Sequence, residues 1–277
     1  ATEPNVAARI VDIHRTLLSE PFPLDRGASS SITDHSFAPR PSTHSDQCHR
    51  GQVRTASIQR WRCRVYLAPA AMTGILLALS YTALLLALMG VWRFFAQVPH
   101  ASVGTVRLLF LLKIAAGTAL WAVYTYIYPD RNTADIFKYF DDSFHMYKAL
   151  PDHPVDYLKM LFGFRNDTPE FLQQYYLHMN NWERQYESNL YNDAHTIIRF
   201  NAAVRLISFG EYHVHTVIAA FLSTLGSVGI YRVFVGRVPG REKLLLAAVF
   251  LLPSVLFWSS GVIKESLLFF GLGLLLY

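Results

Sequence analysis

Apolar residues in this chain are gathered into blocks, with polar, aromatic-rich stretches between them. The first block runs from about Met72 to Phe95 and contains GILLALSYTALLLALMGVW; the second runs from about Leu108 to Tyr128. A third covers about Val214 to Val235. After the loop GRVPGREK comes LLLAAVFLLPSVLFW, then the polar turn SSGVIKES, then LLFFGLGLLLY, where the sequence stops. As helices, blocks of about 20 apolar residues match a bilayer's hydrocarbon core of about 30 Å. The pattern predicts an all-α, polytopic helical membrane protein, with two transmembrane helices over 72–128 and about three over 211–277. The last of these is incomplete, so the chain reads as C-terminally truncated, with further spans to follow.

Between the second and third blocks lies an insert, residues 129–210, with no spanning stretch. Pro151, Pro154 and Pro169 divide it into short helices. In PDRNTADIFKYFDDSFHMYKALPDHP, Ile136, Phe140, Phe144 and Tyr147 are spaced as an apolar helical stripe. Asp135 and Asp142 share one flank two turns apart, while Lys138, Asp141 and His145 leave from the far side. Thr168, followed by Pro169 and Glu170, predicts another helix start. Ile197, Phe200, Val204 and Ile207 predict a further amphipathic helix, with Arg199 and Arg205 off its stripe.

Composition agrees with the block pattern: 52% of the 277 residues are hydrophobic and 16% charged, too apolar for an ordinary soluble domain. The net charge of +5 is not clustered as a nucleic-acid footprint would be, so no nucleic-acid partner is expected. Cys48 and Cys63 match no metal spacing. Charge also orients the chain. Arg93 and Arg107 flank one short loop and Arg232, Arg237, Arg241 and Lys243 another, both on the same side by parity. That side is the cytoplasm by the positive-inside rule, which makes the insert extracytoplasmic. Residues 1–71 do not fit this arrangement. They are Ser-, Pro- and Arg-rich, and five arginines between Arg50 and Arg64 oppose an outward N-terminus. This segment reads as disordered or as non-native upstream sequence, with the natural start at Met72.

Three constellations of chemistry-bearing residues share the outer face. The acidic helix brings Asp135, Asp141 and Asp142; YNDAHTIIRF brings Asp193, His195 and Arg199; SSGVIKES brings Ser259, Ser260, Lys264 and Glu265. The acidic helix is either a general base, with Asp142 as base and Asp135 as its partner or a divalent-metal contact, or a solvated face. Arg199, Arg205 and Lys264 suit a lipid phosphate, though Lys264 beside Glu265 equally marks a membrane surface. Tyr175, Tyr176, Trp182, Tyr186 and Tyr191 are candidate sugar-stacking rings or ordinary packing. Lys113 reads as a snorkelling residue, and His213 and His215 as interfacial polar groups. Gly-rich phosphate loops, HExxH and GxSxG are absent. Together these parts suit the transfer of a sugar from a polyprenyl-phosphate carrier in the bilayer to an acceptor hydroxyl.

DIFKYFDD looks like the acidic motif of the C-type fold integral-membrane glycosyltransferases. LLPSVLFWSSGVIKESLLFF is similar to segments of bacterial envelope proteins grouped near them. The resemblance covers about residues 72–277 and implies a multi-pass enzyme of the bacterial inner membrane. Its donor would be a polyprenyl-phosphate-linked sugar and its acceptor an envelope glycan, lipid or protein. In that family the loop follows the first span; here two apolar blocks precede it. The alternative is a non-catalytic membrane subunit, transporter or polymerase of envelope polysaccharide. A transporter places charges or broken helices near mid-membrane. Lys113, Pro253 and the Gly271/Gly273 pair are the residues that come nearest to this.

Overall fold

The computed structural model describes the backbone of residues 56–128, 130–183 and 192–277 and, Asn132 apart, their side chains from Met72 onward. Residues 1–55, most of the expected upstream segment, lie outside the described residues, as do Tyr186 and Tyr191. Every regular element among the described residues is helical: α1 (Ala56–Val91), α2 (Val103–Tyr126), α3 (Asp135–Lys148), α4 (Pro154–Phe162), α5 (Pro169–Gln174), α6 (Ala194–Ser208), α7 (Tyr212–Val235), α8 (Glu242–Phe250), α9 (Pro253–Trp258) and α10 (Lys264–Leu276), with single helical turns at Arg93–Ala96, Arg131–Thr133 and Tyr176–His178.

Among the described residues, three helical stretches are long and apolar enough to cross a membrane: Met72–Val91 within α1, α2 and α7. The fourth apolar block is not one helix. Pro253 has no N–H and pushes Leu252 to φ −57°, ψ 124°, so the block splits into α8 and α9. The chain then leaves helical geometry from Ser259 to Ile263 and resumes as α10.

Helix α7 is the axis of the bundle. Phe110 and Trp121 of α2 meet Phe221 and His213 of α7, so these two helices run antiparallel. Helix α10 lies parallel to α7 in backbone contact. A Cβ on Gly226 would overlap the Phe269 carbonyl, and one on Gly273 would overlap Gly226, so only glycine permits this approach. At one end of the bundle Arg232 donates to the Phe94 and Gln97 carbonyls at 3.1 and 2.7 Å, joining the two arginine-bearing turns. The insert covers the other end, where Tyr81 of α1 donates to the Ile207 carbonyl at 2.9 Å.

The insert has its own core, built from Tyr139, Met146, Tyr157, Met160, Phe171 and Trp182 against Ile197 and Ile198. Thr168 caps α5 by accepting from the Phe171 N–H, with Pro169 in the first turn. Helix α3 buries more than its stripe. Ile136, Phe137, Tyr139, Phe140, Asp142, Ser143 and Met146 are buried, while Phe144 is 41% exposed. The reason is that α3 is packed on two sides: Phe137 and Phe140 face Tyr212 of the bundle, and Tyr139 and Met146 face the insert core. Helix α6 is likewise enclosed, which buries Asn201, Arg205 and Ser208 and leaves Ile207 at the surface.

Candidate functional site

The three aspartates of α3 enter three different environments. Asp142 is fully buried, and its two carboxylate oxygens accept the backbone N–H groups of Asn180 and Asn181 at 2.7 and 2.8 Å. It anchors the loop that carries Trp182 into the insert core. Burial pushes its pKa above the ordinary carboxylate range, and the two N–H donors partly oppose that. Asp141 is held by a two-pronged bond from Arg131, both distances 2.8 Å. The Asp135 side chain is 60% exposed, 3.9 Å from Lys138. A shared flank on the helix therefore does not become a shared site, because burial separates Asp142 from Asp135.

The expected phosphate cations separate as well. The Arg199 guanidinium lies 5.2 Å from the Trp182 ring centroid, and its Nε donates to the Met160 carbonyl at 2.9 Å. Arg205 is buried between α6 and α3, donating to Ser143 Oγ at 2.7 Å and the Phe140 carbonyl at 2.6 Å, with the Phe140 ring centroid 4.0 Å away. Burial lowers its pKa to about 10, so it stays charged at neutral pH. Tyr175, Tyr176 and Trp182 are buried in the insert core, where Tyr176, Trp182 and His195 form one stack.

Two of the sequence's three constellations do meet. Lys264 Nζ bonds Asp193 Oδ2 at 2.5 Å, the two side chains 43% and 53% exposed. Together with Thr196 and Glu265 they form the polar head of a groove of about 580 Å³. From that head the groove continues along α10 over Leu268, Leu272 and Leu275. The first turn of α10 thus carries a cation and a carboxylate directly above an apolar trough.

Two buried polar clusters were not legible in the sequence. Lys113 is 0% exposed and donates to Ser223 Oγ at 2.7 Å and Ser259 Oγ at 2.6 Å, so it does not snorkel. His215 is also buried, between Asn201 Oδ1 at 2.7 Å and Ser208 Oγ at 2.8 Å. Asn201 donates its amide to the Ile197 carbonyl, so its oxygen accepts from His215 Nδ1–H and Ser208 donates to Nε2. The order resembles a nucleophile, base and orienter. All three groups are fully buried, however, and the cluster works as a tie between α6 and α7. His213 instead packs edge-on against Trp121.

No family model, curated protein or solved structure matches the chain.

Chemically, then, the groove head is where a cation, two carboxylates and a hydroxyl reach solvent beside an apolar surface. Among the described residues no group of three or more His, Cys, Asp or Glu side chains is placed to hold a metal ion.

Proposed function

We propose that the chain is a multi-pass protein of the bacterial inner membrane that handles a lipid-linked sugar, seating a polyprenyl-phosphate carrier in the α10 groove. The observation that carries this is the groove's polarity, with Lys264, Asp193, Thr196 and Glu265 at one end and leucines along the rest. In this reading the prenyl chain lies on the leucines and Lys264 leaves its exposed ion pair for the phosphate. Such a pair is worth only about 0–1 kcal/mol, so exchange is inexpensive. The transferase form of the reading has an acceptor hydroxyl attack the sugar carbon that carries the phosphate. That carbon–oxygen bond breaks, the phosphate leaves against Lys264, and the hydroxyl proton passes to Glu265 or Asp193. Asp142 is less suited to the base role, since both its oxygens already accept backbone N–H groups.

The test of the groove is crosslinking to a diazirine-bearing polyprenyl phosphate. Label should fall on α10, and Lys264→Met should cut it about tenfold, the loss of one charge-assisted contact of about 1.4 kcal/mol. Label spread over the bundle and indifferent to Lys264 would overturn the reading.

In this reading the insert faces outward, which the two arginine-bearing turns gathered at the opposite end of the bundle support. In a background with Cys48 and Cys63 replaced by serine, Asp167→Cys should react with a membrane-impermeant maleimide in intact cells and Gly236→Cys should not. Both positions are exposed, and a side chain at Gly236 meets nothing within 4 Å. The opposite labelling pattern would remove the carrier-dependent mechanism.

A non-catalytic transport role has one observation in its favour. Lys113, midway along α2, meets the non-helical stretch that follows α9, as a broken-helix transporter would require.

A further inference from the structure

Lys113 is the eleventh of the 24 residues of α2, and its partner Ser223 the twelfth of the 24 of α7, so both stand half-way along the bundle. Its amino group is flanked by the Phe250 and Phe269 rings, with centroids at 6.0 and 5.6 Å. Among the described residues it takes part in no ion pair. An amine so placed is expensive to bury, and a leucine would pack there at lower cost. Its two hydrogen bonds show where it acts. One partner, Ser223, belongs to the central helix. The other, Ser259, opens the non-helical stretch that leads into α10.

That stretch is held closely. Ser259, Ser260, Gly261, Val262 and Ile263 are all buried. A Cβ on Gly117 of α2 would overlap the Ser260 carbonyl oxygen, and one on Gly261 would overlap Leu120. Ser266 Oγ turns back to donate to the Gly261 carbonyl at 2.6 Å. Non-helical backbone at the depth of a helical bundle survives only where protein surrounds it in this way. Immediately after it come Lys264 and Glu265, the first two residues of α10 and the groove's polar head. A shift of the stretch by a fraction of an ångström is passed to both side chains.

We infer that Lys113 is a positioning residue for the groove: by tying Ser259 to Ser223 it sets the stretch that presents Lys264 and Glu265. This inference rests on the groove being the binding site. None of the hydrogen-bond or ring partners of Lys113 lines the groove, so its effect on binding is indirect, through the 259–263 stretch to which it is hydrogen-bonded and the Phe269 ring beside it on α10.

The experiment compares Lys113→Met, which keeps the stem and removes the amine, with Ser259→Ala, which removes one acceptor and leaves the lysine its Ser223 bond. Hydrogen exchange is followed by mass spectrometry, and crosslinking to the diazirine polyprenyl phosphate is followed in the same preparations. Both variants are expected to speed exchange across 259–266 while α1 and the insert keep wild-type rates. Both should weaken crosslinking about tenfold, within the range of coupled residues, and neither should weaken it further in a Lys264→Met background. A packing role alone would give losses that add to that of Lys264→Met. Additive losses, or wild-type exchange across 259–266 in both variants, overturn the inference. If Lys264→Met crosslinks as well as wild type, the groove reading fails, and faster exchange at 259–266 still supports the tie to Ser259.

Discussion

Asp142→Asn is expected to lower the unfolding free energy by about 2–4 kcal/mol, the scale for disrupting a buried, charge-assisted hydrogen-bond pair. The carboxylate accepts two backbone N–H groups at 2.7 and 2.8 Å. A carboxamide keeps the shape but offers one oxygen, and its NH₂ is turned against the second N–H donor. The Asn180–Trp182 loop should loosen, and with it the stack of Tyr176, Trp182 and His195. The pH dependence carries a definite sign. Burial raises the Asp142 pKa above its ordinary value, so the folded form holds the proton more firmly than the unfolded chain. Stability from this group is therefore full below the unfolded value of about 4 and shrinks as pH rises through the folded value. Thermal unfolding in detergent should show that decline in the wild type and not in Asp142→Asn. A catalytic base would behave differently, with turnover lost and the unfolding midpoint kept. An unchanged midpoint in Asp142→Asn would sink the anchor assignment.

Arg205→Met is expected to cost about 3 kcal/mol, because it removes two short charge-assisted bonds, to Ser143 Oγ and the Phe140 carbonyl, and leaves those two groups only their bond to each other. The aliphatic stem survives in methionine, so the loss reports the guanidinium rather than packing volume. Arg205→Lys should recover about half, since one ammonium cannot span both acceptors as the planar fork does. If Arg205 instead served a lipid phosphate, both variants would unfold like the wild type and lose crosslinking to the carrier. The two measurements separate a clasp between α3 and α6 from a ligand contact. Fast hydrogen exchange in α3 alone, with the bundle helices unaffected, would mark the clasp.

Local patterns foretold local structure. The apolar blocks at 108–128 and 214–235 become long apolar helices, and that at 72–95 does so as far as Val91, where extended Trp92 interrupts it, because helix formation in such a block depends on neighbours within a few residues. Thr168–Pro169 starts a helix for the same reason. The fourth block, read from the sequence as a single span, is broken by the ring and missing N–H of Pro253, a break its apolar pattern did not show.

Polar side chains are another matter, since a hydrogen-bond partner can lie anywhere along the chain. The fate of Asp142 depends on N–H groups 38 and 39 residues away, and that of Lys113 on hydroxyls 110 and 146 residues away. The pairing of Lys264 with Asp193, 71 residues apart, brings two of the three candidate constellations to one groove. The sequence by itself determined an all-helical chain with long apolar helices and a polar insert, because burial of apolar blocks and backbone capping are settled locally. Only the tertiary structure decided which charges face solvent and which are consumed inside, because desolvation and partner geometry act between helices that periodicity cannot bring together.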